Sequence, residues 1–225
     1  MVLFIFAGAA AEFSLNKAVD WLYFTGRLPA DPIGRLYSTL GYAKRIIFAP
    51  EAEALKAIDT ITAIHKGVET ARNATIPEWA YRDVLFMLMD YSIKSFELLE
   101  RQLTEAEKEE IYSVFYRMGA RMGLTGLPET YQLWLPCREA HMHQDLAVSK
   151  YTPDLFTQYK KHLRPMRYRL MLQVQALLVP NHIKNLLALH TTAVFPSILA
   201  AYKLIRFAHL DNWLEPFLLP RGKGK

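Results

Sequence analysis

The sequence predicts an all-α fold, a single helical domain of about eight to ten helices covering residues 1–225. Three observations carry that expectation. Apolar residues recur at steps of three and four in segment after segment, which is the period of one helix face. No stretch alternates at two residues, and valine, isoleucine and threonine do not gather as strands require. Capping residues and prolines fall between the periodic segments, where helices must start or stop. With 52% hydrophobic and 22% charged residues in 225, the chain can bury one sizeable core. Ten glycines and twelve prolines, scattered along it, exclude a linker-rich array. The single Cys137 allows neither an internal disulfide nor a cysteine-built zinc site, which suits a reducing, cytoplasmic compartment.

The apolar start, Met1 to Ala11, is too short to span a bilayer and lacks the basic residues that open a signal peptide, so it reads as a buried first helix. Ser14 to Phe24 follows with Leu15, Ala18, Val19, Leu22 and Tyr23 at helical spacing, and Gly26 stops it. Asp31-Pro32 supplies a cap and a first-turn proline for a helix reaching about Phe48, and Pro50 breaks it. From Glu51 to Arg72, Ala54, Ile58, Ile61, His65 and Val68 form one stripe. Thr75 with Pro77-Glu78 opens a long helix to Leu103, whose nearly continuous apolar middle, Val84 to Ile93, places it centrally. Thr104-Glu-Ala-Glu107 is a capping box, and Ile111, Phe115, Met118 and Met122 continue the period to Gly123. Helices over Pro128–Val148, Pro153–His162 and Pro165–Leu178 and the segments after Pro180 complete the set. The apolar run Leu186 to Tyr202 contains His190, two threonines and Pro196, so it fits a helix pair in the core or on a membrane surface better than a span.

Charge is uneven. Residues 151–225 carry 11 Lys+Arg against 3 Asp+Glu, whereas residues 1–150 carry 16 against 19. Because the basic excess sits beside long apolar stretches and no nucleic-acid motif is present, the favoured anionic partner is a lipid surface or a cofactor carboxylate, with no nucleic acid. Phosphate-cradling loops, dinucleotide fingerprints, nucleophile elbows and His-Glu-x-x-His pairs are all missing, which in a helical enzyme points to reactivity borrowed from a cofactor. Among the seven histidines, His141-x-His143 places its rings roughly 200° apart on a helix, and Cys137 with His141 or Glu139 with His143 makes only a two-ligand site. His65 differs by lying on an apolar stripe, where its nitrogens need either a core hydrogen bond or a metal. Arg35, Thr39 and Tyr42 share nearly one side of their helix and present either a solvated face or a set of donors for a bound ligand.

The ordered set Ala7-Gly-Ala-Ala, Asp31-Pro-Ile-Gly-Arg35-Leu-Tyr-Ser-Thr39, Ile64-His65-Lys-Gly-Val68, Leu103-Thr-Glu-Ala-Glu107, Gly123 and Leu127-Pro-Glu-Thr resembles the oxygenase superfamily of MpaB and the latex-clearing protein, from about Ala7 to Leu189. The resemblance implies a globin-like helical core that binds haem b, and oxidative attack by dioxygen on an apolar, isoprenoid or unsaturated substrate. By the same resemblance His65 is the axial ligand of the haem iron. Arg35 and Thr39 lie at the haem, on a propionate or along the distal route, and Tyr42 joins them in binding the cofactor. Latex-clearing enzymes use a glutamate base upstream of the arginine, for which Glu12 is the candidate and Asp20 the alternative. The arginine that some relatives carry one turn beyond the ligand is Glu69 here, with Arg72 a loose substitute. Phe86, Met87, Met89, Phe4 and Phe6 are the expected pocket walls. A carrier or sensor that binds haem without turnover is the alternative function, and peripheral membrane contact is expected of the basic, apolar C-terminal third.

Overall fold

Two starts written in the sequence are made as expected. The Asp31 carboxylate accepts the Gly34 amide at 2.9 Å, with Pro32 in the first turn. Thr104 and Glu107 satisfy each other's backbone amides in a full capping box. The structure, a computed structural model, describes residues 1–26 and 30–207. Among these lie eleven α-helices and no strand: α1 Val2–Phe13, α2 Asp20–Phe24, α3 Pro32–Phe48, α4 Glu51–Arg72, α5 Glu78–Leu99, α6 Glu105–Arg121, α7 Tyr131–Gln144, α8 Tyr151–His162, α9 Pro165–Leu178, α10 Asn181–Leu187 and α11 Phe195–Phe207. The apolar segment 214–219 and the basic tail 221–225 lie outside the described residues, as does His209.

The chief departure from the expected pattern is at residues 14–24, where one helix becomes a turn followed by the five-residue α2. Local side-chain bonds compete with the helix there. The Ser14 hydroxyl donates to Ala11 O at 2.7 Å, and Asn16 Oδ1 accepts the Ala18 amide at 2.8 Å. This frees backbone groups for long-range pairing. Asn16 and Leu146 form an isolated antiparallel bridge, and the Ala147 amide reaches Leu15 O at 2.8 Å. The helix expected from Thr75 begins instead at Glu78, after Pro77, and ends at Leu99. The α7 segment is trimmed to Tyr131–Gln144 because Thr130 caps it, accepting from the Leu133 amide. The apolar run from Leu186 is broken by Ala188 in the left-handed region (φ 49°), which separates α10 from α11. No helix among the described residues is long and apolar enough to cross a membrane.

Helix α1 packs along α5 and α9, the arrangement that makes it an interior element. Ala11, Leu15, Met87, Tyr91, Val174, Leu178 and Ile183 meet in the main core. Phe86, Met89, Tyr112, Tyr131 and Trp134 form a second cluster between α5, α6 and α7. Phe86, Met87 and Met89 therefore fill packed interior instead of walling a pocket. The α1–α5 contact depends on Gly8, since a Cβ there would stand 2.4 Å from Tyr91 Cδ1. Gly8→Ala is expected to destabilise the protein by about 1–3 kcal/mol through overpacking, measured as a lowered urea midpoint.

Helices α3 and α4 form an antiparallel pair that packs mainly on itself, with lesser contacts from α3 to α8 and from α4 to α6. On α4 only Ala57 and Ile58 are buried. Ile47 and Phe48, at the end of α3, are 67% and 81% exposed. The candidate ligand sits on this loosely covered pair.

Candidate functional site

The stripe read from the sequence of α4 is present but incompletely sealed: Ile58 is buried, while Ile61, His65 and Val68 are half-buried. The edge of the Tyr81 ring meets the His65 imidazole at 5.2 Å and 62°. Of the two ring nitrogens, only Nδ1 is both shut off from solvent and without a hydrogen bond. Burial pushes the His65 pKa down and the Arg35 charge adds to this, with Glu69 partly opposing, so the ring is held neutral with a lone pair available. Arg35 on α3 thus lies within electrostatic reach of the ligand candidate on α4. It also lines a surface cleft of about 380 Å³ with Ala30, Asp31, Gly34 and Ser38. The Thr39 hydroxyl donates to Arg35 O at 2.9 Å, one turn back. Tyr42 is half-buried, its ring 6.0 Å from the Arg45 guanidinium.

Glu69, one turn beyond His65, accepts the Ile76 amide at 2.9 Å and the Tyr81 hydroxyl at 3.2 Å, both on Oε1. Arg72 is not near that role. It pairs with Asp20 at 2.6 Å and stacks over Trp21 at 4.1 Å. Asp20 therefore reaches the helix that carries His65.

Glu12 lies in a different constellation, sharing no partner with the His65 group. It is 1% exposed and held by Arg138 in a two-pronged pair, with the Tyr91 hydroxyl donating to Oε2 at 2.8 Å. Arg138 also donates to Asp90 Oδ2 from Nε at 3.0 Å and from Nη2 at 2.9 Å, and Lys94 reaches the same carboxylate at 2.8 Å. His141 is clamped on both nitrogens. Its Nε2 is 3.2 Å from Glu12, and its Nδ1 is 2.7 Å from Asp83 and 3.4 Å from Asp145. Burial alone would raise Glu12, but the Arg138 charge and hydrogen bonds override it and hold the pKa at about 2. Burial alone would lower His141, yet its bonds to Asp83 and Glu12 push it up to about 9. Burial raises Asp83, partly offset by His141. The donor atoms of Asp83, His141 and Asp145 lie within 4.8 Å of one another, a spacing that suits a metal ion. The same two carboxylates favour the protonated form of His141.

These shifts set a pH window. The raised His141 stabilises the fold fully below its unfolded pKa of 6.5, and that contribution is lost as pH rises through about 9. The lowered Glu12 stabilises it above its unfolded value of 4.5 and loses this as pH falls toward about 2. Asp83, raised by burial, opposes stability at neutral pH and ceases to do so as it protonates on the acid side. The urea midpoint is expected to peak between about pH 4.5 and 6.5 and to fall on the alkaline side. His141→Gln should flatten that alkaline limb, and an unchanged limb would contradict the assignment.

Sequence reasoning missed this network, although a signal was present. Glu12 stands in an apolar run, and Asp83 and Asp90 flank and interrupt another, two helical turns apart on one face. Charges in such positions require partners, and Arg138 and His141, three residues apart on α7, supply them. Cys137, considered beside His141, is exposed instead. Glu139 and His143 pair on the surface at 3.0 Å. Lys160, Lys161, Arg164 and Arg169 are exposed, and Arg167 is half-buried.

Among the described residues the chain is all-helical, and a half-buried imidazole stands within electrostatic reach of an arginine. The sequence model of the ER-bound oxygenase mpaB/B'/rubber oxygenase catalytic domain matches residues 2–208, and the chain belongs to that family. It is therefore an oxygenase-family domain, for which dioxygen and a small-molecule substrate are the general reactants. Comparison with curated proteins and with solved structures finds no match.

Proposed function

We propose that the protein is a haem b-dependent oxygenase acting on an apolar substrate of isoprenoid or unsaturated character. The observation that carries this reading is the unpaired imidazole of His65, neutral and set in an unsealed apolar stripe. A buried ring nitrogen without a partner costs free energy in the fold. Metal-bound histidines use one nitrogen for the metal and donate the other N–H, so with Nε2 given to a metal the sealed Nδ1 is the nitrogen left to donate. The residues fit a haem. His65 Nε2 would offer its lone pair to iron, and the Arg35 guanidinium would suit a propionate carboxylate.

Bound haem would bind and activate dioxygen, which is itself the oxidant. The chain's residues do the rest. His65 ligates from the α4 stripe and Arg35 holds the anionic edge. Thr39, whose hydroxyl proton is committed to Arg35 O, offers its oxygen lone pairs as acceptors toward the ligand side. Tyr42 provides a phenol on the same helix. A general base must have a free lone pair and a pKa near the working pH. Glu12 has neither, being saturated by Arg138 and Tyr91 with its pKa at about 2, so its part is to tie α1 to α5 and α7.

The test is a haem titration of the purified protein followed by oxygen uptake on a panel of prenyl and unsaturated-lipid substrates. A sharp Soret band at one equivalent and substrate-dependent oxygen consumption are expected. Absence of the band overturns the proposal. Reversible oxygen binding without consumption across the panel replaces it with a haem carrier or sensor.

A further inference from the structure

Resting on that haem reading, we propose that Glu69 is the carboxylate that accepts the Nδ1–H of His65, and that Tyr81 holds it there. Three features of the structure meet at this point. The Nδ1 atom is sealed from solvent and has no partner, so a donor is waiting for an acceptor. Glu69 follows His65 by four residues on the same helix face, the spacing at which side chains touch. Its carboxylate is already oriented, since Oε1 takes both the Ile76 amide and the Tyr81 hydroxyl, and Oε2 receives no hydrogen bond from the described residues. Tyr81 also sets its ring edge against the imidazole, so one side chain steadies both members of the pair. Glu69 is near enough for its charge to act on the His65 ring, and Oε2 is the oxygen left for that donor.

The arrangement has a chemical consequence. An N–H donated to an anion fixes the tautomer that leaves Nε2 free for iron and makes that nitrogen a stronger donor. Strong axial donation favours ferric over ferrous iron. Glu69 and Tyr81 are thus positioning residues that set the redox poise of the haem without touching it.

The experiment measures the midpoint potential of the haem-loaded wild type, Glu69→Gln, Glu69→Asp and Tyr81→Phe. Glu69→Gln is expected to keep its Soret band and to raise the ferrous-to-ferric ratio about tenfold at a fixed potential, a shift of 59 mV for one electron. Tyr81→Phe should move the same way by less, and Glu69→Asp should lie between the wild type and Glu69→Gln. Should the Glu69 variants fail to fold, His65→Gly loaded with haem and then with imidazole or 1-methylimidazole gives the same information, because only imidazole, once bound through one nitrogen, keeps an N–H to donate. A lower midpoint with imidazole supports the proposal. Equal midpoints for Glu69→Gln and wild type, or for the two imidazoles, overturn it while leaving the haem reading intact. A wild type that takes up no haem removes both.

Discussion

His65→Ala protein is expected to lose the Soret band and substrate-dependent oxygen consumption while its far-UV circular dichroism and haem-free urea midpoint stay those of the wild type. The dissociation follows from how the ring is held. In the haem-free fold, His65 makes one edge contact with Tyr81 and leaves a buried nitrogen unsatisfied, so its removal takes little from stability. A change below about 1 kcal/mol is expected in the absence of cofactor. With haem present the two proteins diverge. A ligand at a hundred times its dissociation constant stabilises the native state by about 2.7 kcal/mol, and the variant forfeits that increment. Thermal melts with and without haem, read beside the absorption spectra, measure both sides. Identical haem spectra for variant and wild type would remove His65 from the role of ligand.

Arg138→Met is expected to cost about 3–5 kcal/mol, a large share of the stability of an ordinary domain. Arg138 is the sole guanidinium bridging Glu12 and Asp90 among the described residues, and its loss leaves Glu12 in the core with only Tyr91 and His141 as partners. Asp90 suffers less because Lys94 remains. The double variant Glu12→Leu with Arg138→Met removes both charges, and replacement of a buried pair by apolar residues is often close to neutral. It should recover most of the lost stability. Urea unfolding of the two single variants and the double gives the coupling energy directly. A single Arg138→Met variant within about 1 kcal/mol of wild type would mean that the network is not desolvated as its geometry indicates.

The helices were legible where local chemistry decides them. The Asp31 cap, the Thr104 box and the stripe of α4 are each settled within a few residues, and the structure reproduces all three. The break at residues 14–19 was not legible, because Asn16 and Leu15 are fixed by residues 145–147, which only the fold brings near. Among the described residues the helices number eleven against the eight to ten expected, with α2 a shortened form of the helix expected over Ser14–Phe24. At the site, His65 stood out through its place in an apolar stripe, and Arg35 through spacing. The position of Glu12 could not be read. Its isolation in an apolar run announces a buried carboxylate but not whether iron, water or a guanidinium receives it, and the answer lies on α7, well over a hundred residues along the chain.

That separation shapes how the protein can be made. Glu12 meets Arg138 across 126 residues, and Ala7 O meets Gln175 across 168. At a synthesis rate of about 5–20 residues per second, the strongly apolar α1 emerges roughly 6–25 seconds before its counter-ion exists, and longer before α9 covers it. During that interval a greasy helix bearing an unneutralised acid has only nascent chain and the cell's holding machinery for company. The ribosome thus delivers α1 ahead of both α7 and α9, and its acid and its apolar face wait for partners that come later in the chain.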